Sequence, residues 1–169
     1  RHFSLGGNFT YIDAEVDRTA AELANLGGFF GVAAGDTEVF SALAPTRRLY
    51  GQPEWIANAD VSFDHPEWGT KVTLAYYAIS DILDSAGSAT IGPSGAVDAI
   101  TLDRYIGSFG QFDLVLSQTW GNWTFKLSVK NLTDSTRKVL YDTNQTVSEI
   151  AETSYKVGRD FSLSASCRF

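Results

Sequence analysis

Two histidines, one cysteine and a scatter of serines and carboxylates are the residues from which chemistry could be built in this chain. A hydrolase needs a serine or cysteine nucleophile within reach of a histidine base. His65 instead lies in Asp64-His65-Pro66-Glu67-Trp68-Gly69, a Pro- and Gly-punctuated turn, and Gly92-Pro93-Ser94-Gly95 reads as a loop rather than as the G-x-S-x-G elbow that feeds a helix. Asp81, Asp84 and Asp98 are too loosely spaced for an EF-hand, and neither His2 nor His65 stands in a ligand cluster. Gly27, Gly28, Gly31 and Gly35 have no lysine at phosphate-loop spacing. Cys167 falls on the apolar side of an alternating segment and reads as a small hydrophobe. The expectation is a non-enzymatic chain, with no catalytic residue, metal site or cofactor assigned.

The elements that carry these residues are strands. At 169 residues the chain has 44% hydrophobic and 13% aromatic content with 15 glycines, which describes strands and turns better than a helical bundle. No apolar run of membrane-helix length occurs. The net charge of -7, with 13 scattered basic residues, argues against nucleic acid as a partner.

Six segments alternate with period two. The first sets Phe3, Leu5, Phe9 and Tyr11 against Ser4, Asn8 and Thr10. The second sets Trp55, Ala57, Ala59, Val61 and Phe63 against Glu54, Asn58, Asp60 and Ser62; after the His65 turn the third sets Val72, Leu74, Tyr76 and Ala78 against Lys71, Thr73 and Tyr77. The fourth opposes Phe112, Leu114 and Leu116 to Gln111, Asp113, Ser117 and Thr119. Gly121 and Asn122 alone separate it from the fifth, a spacing that predicts a type II′ hairpin. The fifth opposes Trp123, Phe125, Leu127 and Val129 to Thr124, Lys126, Ser128 and Lys130, and the sixth is read as one strand from Ser154 to Phe169.

Short connections follow the second and fourth segments. Long ones follow the first (15–53), the third (81–108) and the fifth (134–153). A helical turn is expected at 20–26, and TRRLYG and ITLDRYI are the only further strand candidates in these connections. Long excursions at every other turn are unusual in a compact domain but usual in an outer-membrane barrel, with tight periplasmic turns and longer outer loops. In that reading Phe3, Phe63, Trp68, Trp120, Trp123 and Phe169 gather near one interface and Tyr11, Trp55, Tyr76, Tyr77, Phe112 and Tyr155 near the other. Such a barrel must close, and six strands fall short of the smallest known number, so a piece of a larger barrel is expected, as is also read from the chain opening at Arg1 without a signal peptide.

Gly51, Gln52, Pro53 and Asn58 in the stretch entering the second segment, Asn131 and Leu132 after the fifth, and Tyr155, Gly158, Arg159 and Phe169 in the sixth together resemble the carboxy-terminal end of TonB-dependent outer-membrane receptors. The resemblance covers about residues 48–169, with Cys167 where the family has an aromatic. It implies an all-β, antiparallel transmembrane barrel, residues 1–169 forming about the last six strands of a 22-stranded wall. It also implies a multi-pass protein of the Gram-negative outer membrane that takes up a siderophore, haem, cobalamin or similar bulky nutrient. The implied partners are the remainder of the barrel and its plug domain, the TonB complex through an amino-terminal part, the barrel assembly machinery and outer-membrane lipid. Arg47, Arg48, Tyr50, Phe29 and Phe30 would then be outer-loop ligand contacts. Asp60, Lys71, Asp113, Lys126, Lys130 and Asp160 would face the lumen and plug, and Phe161, Leu163 and Phe169 would form the assembly signal.

The rival reading is a small β-sheet surface or soluble module that binds glycan or protein, distinguished by what covers Phe125, Leu127 and Val129. The sequons at Asn8, Asn122, Asn131 and Asn144 are read as chance. Open sheet edges predict aggregation or pairing with another copy.

Overall fold

The computed structural model describes residues 2–30, 44–94, 97–141 and 150–169. Period-two alternation with β-branched and aromatic residues on one side gives six long antiparallel strands: β1 (Phe3–Tyr11), β4 (Trp55–His65), β5 (Thr70–Ile79), β10 (Phe109–Trp120), β11 (Trp123–Lys130) and β14 (Asp160–Cys167). They lie in the order β1-β4-β5-β10-β11-β14. The turn between β10 and β11 is Gly121-Asn122, with positive φ (59°) at Gly121 and not at Asn122, the geometry of the expected II′ hairpin. Pro66–Trp68 form a single 3₁₀ turn between β4 and β5, with the His65 side chain accepting from Trp68 N–H at 3.3 Å.

The long connections are not bare loops. The first holds β2 (Glu15–Asp17), α1 (Ala20–Phe30) and β3 (Thr46–Arg48); the second holds β6 (Ile82–Ser85), β7 (Ser88–Ile91), β8 (Val97–Thr101) and β9 (Arg104–Ile106). The third holds β12 (Thr136–Tyr141) and the start of β13 (Ile150–Lys156). These build a four-stranded sheet, β13-β12-β9-β6, and two ribbons, β2-β3 and β7-β8. Together they form a cap at one end of the main sheet. TRRLYG therefore supplies β3, and ITLDRYI is split between β8 and β9. The helix runs past the expected turn to Phe30. The sixth alternating segment is two strands in different sheets, broken at Gly158 (φ 85°), so Tyr155 and Lys156 belong to the cap and only Asp160–Cys167 join β11.

The main sheet is open, and this overturns the transmembrane barrel. β1 pairs only with β4 and β14 only with β11, which leaves both as free edges among the described strands. Alternation records which side of a sheet is apolar; it does not record whether the edges meet. With closure go the 22-stranded wall, the lumen and plug, the outer-membrane placement and the lipid, TonB and assembly-machinery partners that depended on it. No helix of the described residues is long and apolar enough to cross a membrane.

The buried apolar side chains cluster where cap and sheet meet, with Ala78 and Ile79 ending β5, Leu83 in β6 and Leu140 in β12. Ser80 Oγ accepts from the backbone N–H of Glu54 at 2.8 Å, and Gly51 N–H donates to Leu83 O at 2.9 Å. Across the junction the Arg137 guanidinium sits 3.0 Å from the Phe109 ring centroid.

Candidate binding surface

Cross-strand register decides what each side of the main sheet presents. Leu5 opposes Val61, Val61 opposes Leu74, Leu74 opposes Leu114, Leu114 opposes Val129 and Val129 opposes Phe161. One file of residues thus crosses all six strands without a polar member, and the next file on the same side adds Phe3, Phe63, Val72, Leu116, Leu127 and Leu163. The opposite side carries Asn8, Asn58, Asp60, Ser62, Thr73, Lys71, Asp113, Lys126, Ser128 and Ser164. There Ser62 and Thr73 share a hydroxyl hydrogen bond at 2.8 Å, and Asn58 Nδ2 donates to Asn8 Oδ1 at 2.7 Å.

The apolar side is most exposed at its two edges, while Leu74, Leu114 and Leu127 in its middle are half-buried and Val129 is buried. Leu5, Leu163, Phe3, Phe9 and Phe161 are 82, 76, 71, 66 and 65% exposed, and Phe125 and Trp123 are exposed beside them. These exposed apolar side chains are contiguous rather than singly scattered. Towards the short turns the apolar side ends in rings: Phe3 and Phe63 lie 5.0 Å apart, while His2, His65 and Trp68 stack at 4.2 and 4.0 Å.

The six residues expected to face a lumen share the polar side, which encloses no lumen because the sheet is open. Lys71 pairs with Asp64 at 3.6 Å, and Asp113 accepts from Asn131 N–H at 2.9 Å. Lys126 is exposed, and Asp60 lies against Gly6, where a Cβ would collide with its carboxylate. Lys130 and Asp160 oppose each other across β11 and β14 and line a cleft of about 230 Å³ with Gln111, Asn131, Ser135 and Arg137.

Of the residues expected to hold a ligand, Arg47 and Arg48 lie in β3 and Tyr50 just after it. Arg47 pairs with Glu22 at 3.1 Å; Arg48 pairs with Asp81 at 2.9 Å and Glu54 at 3.1 Å; Tyr50 is exposed in the turn after β3. For Arg48, partial burial disfavours the charge, but the contact with Asp81 and the field of Asp81 and Glu54 outweigh it and hold the guanidinium above its ordinary value. Phe29 and Phe30 end α1, and their side chains lie outside the described residues, as do Gly31, Gly35 and Asn144. Phe161 and Leu163 belong to the exposed apolar side of β14 and Phe169 follows it; as an assembly signal they fall with the barrel.

Sequence reasoning missed the groups that hold the cap. Asp103, 1% exposed, receives Arg18 Nη2 at 2.7 Å and Gly87 N–H at 2.6 Å, and Arg18 continues to Glu22 at 3.3 Å. Arg104 pairs with Asp84 and, at 3.5 Å, with Glu152; the Asp84 hydrogen bond is the main reason its guanidinium is held above the ordinary value. Arg18 and Asp103 stand 85 positions apart, a separation at which no local pattern signals a pair. No family model, curated protein or solved structure matches the chain, so the resemblance to TonB-dependent receptors gains no support.

Proposed function

We propose that this chain is a β-sheet binding module that engages a protein partner through the apolar side of its main sheet. The observation that carries the reading is the uninterrupted apolar file from Leu5 to Phe161, exposed at both edges and opposed by a polar side. Burying such a surface contributes about 25 cal/mol per Å², and the aromatic residues that dominate binding hot spots are concentrated on it. The reading is non-enzymatic. Both histidines are engaged in the ring stack, His2 Nδ1 at 3.0 Å from the Asp64 carbonyl and His65 Nδ1 accepting from Trp68 N–H.

Neighbouring residues on opposite sides make the test. A photo-cross-linking residue at Phe125 or Leu163, introduced where the protein is naturally made, is expected to capture a protein partner; the same residue at Lys126 or Ser164 is not. Equal capture from both sides, or capture only from the polar side, overturns the reading. A second reading, glycan binding, is favoured by the exposed indoles of Trp68 and Trp120, whose faces could stack on sugar rings. It is tested by indole fluorescence on titration with soluble oligosaccharides, where an unchanged signal rules it out.

A further inference from the structure

The two edges of the main sheet point to their own occupant. Asp64 N–H donates to His2 O and Ile12 N–H to Glu54 O, both at 2.7 Å, which fixes the bonded pairs of the β1–β4 ladder at the even-numbered residues of β1. In an antiparallel ladder bonded pairs alternate with unbonded ones. Phe3, Leu5, Gly7, Phe9 and Tyr11 therefore turn their N–H and C=O groups away from β4. At the other edge Arg168 N–H donates to Asn122 O at 2.9 Å, which fixes the β11–β14 ladder at even positions and turns the backbone of Phe161, Leu163, Ala165 and Cys167 outward.

Both edges are long and free of proline, and all residues of β1 together with Asp160–Ser166 of β14 are exposed. β1 carries no charged residue and β14 only Asp160 at its start, and neither edge has the bulges or short length by which natural sheets protect an edge. A row of alternating amide and carbonyl groups is a template for an added extended polypeptide strand. The edges also match each other. Five successive antiparallel pairings separate β1 from β14, so the two run in opposite directions, and at each the outward backbone groups belong to residues on the apolar side.

We propose that β14 of one copy adds antiparallel to β1 of a second copy, extending the sheet with its apolar and polar sides continuous. Setting Cys167, Ala165 and Leu163 against Phe3, Leu5 and Gly7 places a small residue beside a large one at each step, and sets Ser166, Ser164 and Ser162 against Ser4, Gly6 and Asn8 with no like charges opposed. Pairing β1 with β1, or β14 with β14, would leave one edge of every copy unsatisfied. The contact is heterologous, so copies join in rings or open chains. It rests on edge backbone groups, independently of the partner proposed for the apolar side.

Proline at an outward N–H removes a donor needed by the added strand while sparing the ladder within the copy. In sedimentation velocity the unaltered chain is expected to self-associate, Ala165→Pro and Leu5→Pro to associate about tenfold more weakly, and Ala165→Ser and Leu5→Ala to behave nearly as the parent. An equimolar mixture of the two proline variants, each keeping one good edge, is expected to give a one-to-one dimer. Hydrogen exchange on the unaltered assembly needs no variant to fold: the Leu5, Phe9, Leu163 and Ala165 amides are expected to be protected. A monomeric parent, unprotected odd-numbered edge amides, proline variants that associate as the parent does, or variants that dimerise alone but not with each other would each overturn the proposal. Association that survives both prolines but is lost on Phe125→Asp would instead place self-contact on the apolar side.

Discussion

The main sheet and its cap are held by different physics. In the sheet, backbone ladders run through 8- to 12-residue strands, and side chains sort by parity into an apolar and a polar side. In the cap, the described strands are three to seven residues long, three of its pairings contain register shifts at bulges or irregularities, and charged groups tie distant segments together. Arg18–Asp103 links the entry to α1 with the approach to β9, Arg104 ties β9 to β6 and β13, and Arg48 ties β3 to residues flanking β4 and β6. The sheet should therefore tolerate single polar changes that the cap cannot.

The sharpest break of that contrast is at Asp103. Asp103→Ala leaves the Arg18 guanidinium, its side chain 2% exposed, with Glu22 as its remaining ion-pair partner. Removing one member of a buried pair costs about 3–5 kcal/mol. Hydrogen exchange should show β9 and β12 opening while β4, β5 and β10 keep their protection. If the sheet opens at the same free energy, the two regions are one cooperative unit and the contrast fails.

The next largest effect is expected inside the sheet, from backbone rather than charge. Gly69 closes the β4–β5 turn at φ 64°, and a Cβ there would come within 2.5 Å of Thr119 O. Left-handed strain and contact together place Gly69→Ala at about 2 kcal/mol, read as a lower denaturation midpoint with an unchanged slope. An effect below a few tenths would mean that turn and β10 shift freely.

Asn131 stands at the border of the two regions. Its side chain donates to Gly158 O at 2.8 Å and accepts from Ser135 N–H at 2.9 Å, in a left-handed conformation (φ 54°). Asn131→Gly keeps the conformation and loses the bonds, whereas Asn131→Ala loses both. We expect about 1 kcal/mol for the first and about 2 for the second; equal losses would assign the whole effect to hydrogen bonding.

Sheet and cap were also unequally legible in the sequence. The main strands, their sides and the Gly121 hairpin follow from parity and a two-residue spacing, both local. Asp60, Lys71, Asp113, Lys126, Lys130 and Asp160 share one side for the same reason. A lumen on that side is not legible in the same way, since curvature and closure are set by long-range assembly of strands that no single strand's alternation encodes. Cap strands such as Arg104–Ile106 are too short to show a period and form against β6 and β12 by long-range pairing. The resemblance makes Arg47 and Arg48 outer-loop ligand contacts, yet both are taken up by carboxylates that approach from other segments, which no local pattern signals.

The smallest expected effect concerns pH, and it tests whether surface pairs in the cap contribute as its buried pair does. Lys156 Nζ lies 2.9 Å from Asp134 Oδ2, and this hydrogen bond, aided by the charges of Lys156 and Arg159 and opposed by desolvation, holds the Asp134 carboxyl below its ordinary value. A carboxyl depressed in the folded state binds its proton less readily there than in the unfolded chain, so its stabilisation is present above the unfolded value and is lost as pH falls through the folded one. Acid should therefore weaken the β12–β13 hairpin before neutral or alkaline conditions do. Asp134→Asn should flatten the pH dependence of exchange at Arg137 and Val139 without changing it at Leu74 or Leu114. Because the pair is solvent-exposed, moderate salt should shrink the effect. If salt leaves it unchanged, the pair is shielded from solvent by its surroundings, and charge contributes to the cap at its surface as well as at Asp103.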